Sequence, residues 1–326
     1  MEQRPQHPPA FIDRRLYSLG APRRLFDEAA RFFRGRFNLR GLHSGELLDR
    51  WMYAERNPTG DLWSLAVADE GPVGFALGRG LEVGAEVSLL YLSGRHNDAA
   101  NARELLEVLG RGRVYLLAAE SCLSPPPGDL FDVLTAAGWR RHPRLEYRYD
   151  LAAGPPRPDS TRVTIDGYRI RRMTPTDFDA AALLQATCYL GGEESRIQPR
   201  LADPRGSRAL LDEVLAGRYG ELLRRGCLVL EAADGALEGF LLSTRLDLQQ
   251  RGEWAVVLSL GISPARRGRG LARELLRRAL GVYFNLDMAG ALLETGTVNQ
   301  SARSLYRGLG FRLVNQSAVY RKRTEG

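Results

Sequence analysis

The pentapeptide Ala102-Arg103-Glu104-Leu105-Leu106 recurs as Ala272-Arg273-Glu274-Leu275-Leu276, and this recurrence constrains the fold more than any other feature of the 326-residue chain. Leu90 and Ser93 find counterparts in Leu260 and Ser263 at the same spacing. Upstream, Gly74-Phe75 matches Gly239-Phe240 within a similar strand–turn–strand pattern, and Gly138-Trp139 stands where Gly310-Phe311 does. Five agreements in one order read as a tandem duplication. A break between the copies is expected at Gly154-Pro155-Pro156-Arg157-Pro158-Asp159-Ser160, where the prolines exclude regular structure. The expected layout is one domain over 1–153, a linker over 154–163 and a second domain over 164–326.

The second half shows its elements most clearly. Tyr168-Arg169-Ile170-Arg171 alternates as a strand, and Thr174-Pro175-Thr176-Asp177 turns and caps an Ala/Leu helix. Leu228–Ala232 and Leu237–Ser243 flank the turn Ala233-Asp234-Gly235. Ala255–Ile262 is an almost wholly apolar strand. Leu271, Leu275, Leu276, Ala279 and Leu280 share one helical face. A short strand, Ala291–Thr295, precedes a helix from Gln300 to Arg307. Strands interleaved with helices place the chain in the α/β (α+β) class.

The balance of 46 basic to 39 acidic residues, a net charge of +7, permits a nucleic-acid or membrane-surface partner without requiring one. Lys322 is the only lysine, so the charge reads as arginine usage. No aromatic residues interleave with the run Arg266, Arg267 and Arg269, which argues against RNA. Cys122, Cys188 and Cys227 are too widely spaced for a disulfide framework or a zinc site, so no metal is expected. Met1–Ala10 lacks the apolar core of a signal peptide, and no apolar run reaches the roughly 18 residues of a membrane span. A cytoplasmic protein is expected, monomeric or homodimeric, with no nucleic-acid or membrane partner.

The most informative stretch runs from Leu260-Gly261-Ile262-Ser263-Pro264 through Arg267-Gly268-Arg269-Gly270-Leu271-Ala272. Pro264 ends a buried strand, and the glycines allow backbone to approach a ligand. A helix then begins with its unpaired N–H groups and positive dipole end in the loop. Such a site suits a pyrophosphate. It is no Walker A loop, which needs Gly-Lys-Ser/Thr, and Arg273 stands where a dinucleotide fingerprint needs its third glycine.

The stretch resembles the R-x-x-G-x-A loop of the GNAT superfamily, the acyl-CoA-dependent N-acyltransferases. Asn299-Gln300-Ser301-Ala302-Arg303-Ser304-Leu305-Tyr306-Arg307-Gly308-Leu309-Gly310-Phe311 is similar to that superfamily's N-x-x-A-x-x-L-Y-x-x-x-G-F block. The resemblance covers about residues 165–320. It implies two tandem GNAT-like domains, each a mixed, mostly antiparallel sheet flanked by helices, and acetyl-CoA as cosubstrate. Two strands of the second sheet would splay around the pantetheine. Leu260, Gly261 and Ile262 would line it with backbone groups, the Leu260 N–H stabilising the oxyanion. Arg267, Gly268, Arg269, Gly270, Leu271 and Ala272 would hold the pyrophosphate, and Asn299 would face the pantetheine arm or cap its helix.

Acyl transfer to an amine needs a proton acceptor, and no histidine follows the linker. Glu294 is the first choice, because the Glu294–Tyr306 spacing is similar to that of ribosomal-protein alanine acetyltransferases. Glu253 is the reserve. Tyr306 fits the superfamily's general acid. In the first half, Asn97-Asp98-Ala99-Ala100 replaces the glycine loop and Leu134 replaces the tyrosine, so this copy is expected to keep the fold without catalysis. The layout is similar to that of mycothiol synthases and other double-GNAT proteins. The expected activity is transfer of an acetyl group from acetyl-CoA to a small-molecule primary amine in a ternary complex. Protein N-terminal acetylation and non-catalytic acyl-CoA sensing are the alternatives.

Overall fold

The apolar runs of the sequence become strands, and the helical stripes pack on them. The computed structural model describes residues 9–13, 22–37, 61–69, 71–81, 84–119, 123, 127–155, 167–247 and 252–323. Cys122 and most of the expected linker lie outside them. The first half contains β1 (Ala10–Asp13), α1 (Arg23–Phe37), β2 (Asp61–Ala68), β3 (Gly71–Gly80), β4 (Gly84–Leu92), α2 (Ala99–Leu109), β5 (Tyr115–Ala119), α3 (Pro127–Ala136) and β6 (Arg140–Asp150). Then come β7 (Tyr168–Arg172), α4 (Phe178–Tyr189), α5 (Glu193–Ile197), α6 (Pro204–Leu215), β8 (Glu221–Leu222), β9 (Leu228–Ala232) and β10 (Leu237–Asp247). The chain ends with β11 (Glu253–Ile262), α7 (Leu271–Phe284), β12 (Gly290–Gly296), α8 (Gln300–Gly308) and β13 (Arg312–Arg323).

Two compact units result, and their limits differ from the Pro-rich boundary. One comprises Met1–His142 with Ser317–Gly326, the other Pro143–Gln316. In the first unit the strands run β1-β2-β3-β4-β5, and Val319–Arg323 at the end of β13 pairs antiparallel with β5. In the second the order is β6-β12-β11-β10-β9-β7, with β8 against β10. Each sheet therefore takes one strand from beyond the Pro-rich segment. The physical reason is edge pairing: the outer strand of each parallel pair, β5 or β12, presents backbone groups that need partners. β6 reads in sequence as the end of the first copy, yet its Arg144–Asp150 pairs antiparallel with all of β12. A fragment 164–326 lacks β6, so we expect it to be insoluble or to melt without a cooperative transition by circular dichroism. A soluble, cooperatively folded 164–326 fragment would show that β6 is dispensable.

The second unit has two layers of core. Leu228, Leu230 and Leu241 face α7 and α8 within one apolar cluster. Their neighbours Val229, Phe240 and Leu242 alternate to the other face and pack with α4 and α6. The predicted stripe of α7 is the observed one, since Leu271, Leu275, Leu276, Ala279 and Leu280 are all buried. Each such leucine contributes roughly 1.5–3 kcal/mol relative to an exposed one.

The turn before α4 is fixed electrostatically. Both nitrogens of the Arg171 fork bond the Asp177 carboxylate, at 2.8 and 2.9 Å, and the Thr174 backbone N–H adds a bond at 2.7 Å. The Arg171 hydrogen bonds lower the Asp177 pKa from 3.8 to about 2, against the effect of burial. Folding thus gains stability above the ordinary carboxylate value, lost as pH falls through about 2. Asp177→Asn is expected to melt lower than the parent at neutral pH. The gap in melting temperature should close as pH drops from 3.8 to about 2, and a gap independent of pH excludes this linkage.

Candidate active site

The site begins with a β-bulge. On β11, Ser259 opposes Leu242 and Val257 opposes Ser243, leaving Leu258 as the extra residue. A bulge bends its strand and increases the local twist. The parallel ladder between β11 and β12 accordingly runs only from Trp254↔Gly290 to Val257↔Leu293. Beyond it, residues 258–262 and 294–296 diverge, giving the wedge that the resemblance implied. The Ser263 N–H bonds the Glu238 carbonyl on the β10 side. By alternation, the backbone groups of Leu260 and Ile262 point the other way, into the wedge. Gly261 lies between them, where a Cβ would come within 2.5 Å of the Phe240 ring.

The loop after β11 leads to an open helix end. Gly268 and Gly270 both take left-handed backbone, φ 78° and 75°, and no side chain caps α7. These conformations delay the helix until Leu271, so the amides from Gly268 to Ala272 meet at its N-terminus. A Cβ on Gly268 would touch nothing within 4 Å. Dipole, free amides and open space together fit a pyrophosphate. The arginines divide in their roles. Arg266 pairs with Glu238, and Arg267 folds back to bond the carbonyls of Ile262 (3.2 Å) and Cys188 (2.9 Å). Arg269 has no protein partner among the described residues. Asn299 caps α8, its side-chain oxygen accepting from the Ala302 N–H at 3.1 Å.

Tyr306 is 7% exposed and lies between Tyr147 and Phe311, at ring distances of 5.7 and 6.0 Å. Among the described residues no group hydrogen-bonds its hydroxyl. Burial, with Tyr189 and Glu194 nearby, pushes the phenol well above its usual value, so it stays protonated at neutral pH. Tyr189 is likewise pushed up to about 12 by burial, and its hydroxyl meets the Ser259 hydroxyl at 2.8 Å.

Glu294 is held by Arg144, a residue that no sequence motif singles out. Arg144 of β6 donates from Nε to Glu294 Oε1 and from Nη1 to Glu194 Oε1, each at 2.7 Å. Strand pairing leaves no mark in a strand's own residues, so the place of Arg144 beside β12 has no signal in the sequence. Glu253 sits at the opposite, closed end of β11 and pairs with Arg245 at 2.9 Å. It is not brought near Tyr306.

The first unit repeats the scaffold without the opening. Its β4 carries the equivalent bulge, with Leu89 opposing Leu77 and Val87 opposing Gly78, so that Ser88 is extra. A Leu90–Leu123 bridge then joins strands that diverge in the second unit. Asp98 caps α2 by accepting from the Asn101 N–H at 2.8 Å, and Leu134 is fully buried. Here a carboxylate occupies the helix end left open in α7. Among the described residues no His/Cys/Asp/Glu group could hold a metal, and no helix is long and apolar enough to cross a membrane.

A mixed sheet splayed beside an uncapped helix end is the arrangement that the resemblance to acyl-CoA-dependent N-acyltransferases implies. The model of the acetyltransferase (GNAT) family matches residues 198–311, so this segment of the second unit is a GNAT domain. An uncharacterized protein of Mycobacterium leprae (strain TN) is 30% identical over 167 residues, 50% of this chain and 40% of that protein. N-acetyltransferase 8B of Mus musculus is 37% identical over 57 residues, 18% of this chain and 25% of that protein. The chain thus spans less than half the length of both relatives. A GCN5-related N-acetyltransferase structure from Sphaerobacter thermophilus superposes with a TM-score of 0.62 at 18% identity, covering 96% of this chain and 95% of that one. A GCN5-related glucosamine N-acetyltransferase region of a fungal multi-domain GH3 beta-N-acetylglucosaminidase gives 0.63 at 14%, covering 97% and 38%. These likenesses show the shared fold.

Proposed function

We propose that the unit over 143–316 transfers an acetyl group from acetyl-CoA to a primary amine, a small molecule, by direct attack in a ternary complex. The observation that carries this reading is the combination of the β11–β12 wedge, the uncapped end of α7 and the unpartnered hydroxyl of the buried Tyr306. Amides at Gly268, Gly270, Leu271 and Ala272, with Arg269, are the groups for the pyrophosphate. The Leu260 backbone and the Ile262 N–H are the candidate groups for the pantetheine, the Ile262 carbonyl being bonded to Arg267, and the Leu260 N–H, which also reaches the Tyr189 hydroxyl, is the candidate for the oxyanion. Arg267, bonded to two carbonyls, braces the loop. Acetyl-CoA supplies the activated acyl group.

The proton steps follow from ordinary acidities. An alkylammonium, near pKa 10, must first lose one proton to solvent, because only the neutral amine has the lone pair that forms the C–N bond. Bond formation makes the nitrogen acidic, and Glu294 then takes the second proton through its second, unpaired oxygen. Tyr306, kept protonated by burial, donates to the departing sulfur. The paired bulges and matching segments support descent of both units from one ancestor. The self-capped α2 supports a first unit without acetyl-CoA binding. Free Cys188 and Cys227 suit a reducing, cytoplasmic setting.

The test is CoA-thiol release from acetyl-CoA with tyramine, spermidine, glucosamine and an alanine-initiated peptide. Amine-dependent release with a small amine supports the reading. Release with the peptide alone favours N-terminal acetylation, and tight acetyl-CoA binding without release favours a sensor.

A further inference from the structure

Three elements of the second unit meet on one guanidinium. Arg144 lies opposite Gly296 in the β6–β12 ladder, and its side chain is only 9% exposed. It bonds Glu294 on β12 and Glu194 on α5, one oxygen of each. Burial works against its charge, but the two carboxylates more than reverse that effect and keep it firmly protonated. The second oxygens of Glu194 and Glu294 have no protein partner among the described residues. Arg144, Glu194 and Glu294 together leave a single negative charge, and Glu193 with Arg196 add a neutral pair beside them.

This group stands at the reacting end of the wedge. Both Glu194 and Arg144 act electrostatically on the hydroxyl of Tyr306, a buried residue whose hydroxyl has no hydrogen-bond partner among the described residues. A Cβ at Gly296 would fall 1.7 Å from Glu193 Oε2, so α5 carries a second carboxylate up to the same strand end. Arg144 is taken out of water although Glu294, 45% exposed, stays in contact with it, so desolvation of the guanidinium offsets much of the attraction. Its cost is better explained by a task. Arg144 and Glu194 also lie outside the segment matched by the family model.

We propose that Arg144 is a positioning residue that holds Glu194 and Glu294 as a two-carboxylate receptor for a primary ammonium group. The proposal rests on the acetyl-transfer reading and names how the acceptor is held. Two fixed oxygens with one surplus negative charge match an –NH3⁺, which offers three donors and one positive charge. Arg144 does not touch the amine. It sets the spacing of the oxygens that do.

The experiment uses the full chain with Arg144→Met, Arg144→Lys and Glu194→Gln, and measures CoA release with tyramine, spermidine and glucosamine. For the best amine, Arg144→Met is expected to raise the amine KM at least 30-fold while the KM for acetyl-CoA moves less than twofold. Arg144→Lys should restore most of the melting temperature yet recover only part of the amine KM, because one ammonium cannot hold two carboxylates as a planar fork does. Should Arg144→Met fail to fold, Arg144→Lys and Glu194→Gln carry the test, each with a raised amine KM. Variants that lose melting temperature alone, or that change both KM values alike, overturn the proposal. A parent protein that binds acetyl-CoA but releases no CoA with any amine overturns the transfer reading and this inference with it.

Discussion

Tyr306→Phe is expected to lower kcat about 100-fold, the low end for losing a positioned proton donor, with the dissociation constant for acetyl-CoA unchanged within twofold. The ring remains to pack on Tyr147 and Phe311, so only the hydroxyl is lost. Since that hydroxyl has no protein partner among the described residues, its removal leaves no protein group newly unsatisfied. Thermal stability should therefore hold or rise slightly while turnover collapses. That opposition separates a catalytic hydroxyl from a packing tyrosine. Steady-state kinetics together with a thermal melt decide it, and unchanged kcat removes Tyr306 from the mechanism.

The second large effect is expected at the helix end. Gly268→Asp places a carboxylate where the first unit has one, at Asp98, before amides that need an anion from outside. Acetyl-CoA affinity should fall about 100-fold, equivalent to roughly 2.7 kcal/mol, because a fixed negative charge now competes for the same N–H groups. Gly268→Ala is the control. It keeps the strain of a non-glycine residue at φ 78° but adds only a methyl with nothing within 4 Å, so affinity should change by a few-fold at most. Calorimetric titration of both variants measures this. Equal affinities for Asp and Ala would move the pyrophosphate site away from α7.

Much of the second unit was legible along the chain. The strand and turn patterns from Tyr168 onward, and the stripe of α7, appear in the structure within a few residues of their expected limits. Period-two and helical patterns are local, so neighbouring residues suffice to set them. The glycine loop was equally legible, since left-handed backbone at Gly268 and Gly270 leaves its mark in residue type. The same reasoning exposed the missing glycines around Asp98. Arg267 was not legible in this way. A basic residue beside a phosphate loop and a basic residue bracing that loop look alike in sequence, and only the Ile262 and Cys188 carbonyls tell them apart.

The sequence by itself determined that the chain carries matching segments in order, that the second half holds a GNAT-type loop and Tyr306, and that the first half lacks both. Those features depend on residue type and short spacing. Only the tertiary structure decided that β6 completes the sheet of the second unit, bringing Arg144 to Glu294 and Glu194 and setting Tyr147 against Tyr306. Strand pairing is selected by which backbone edge is left unpaired once the rest of the sheet has formed, and a strand's own alternation carries no record of that edge.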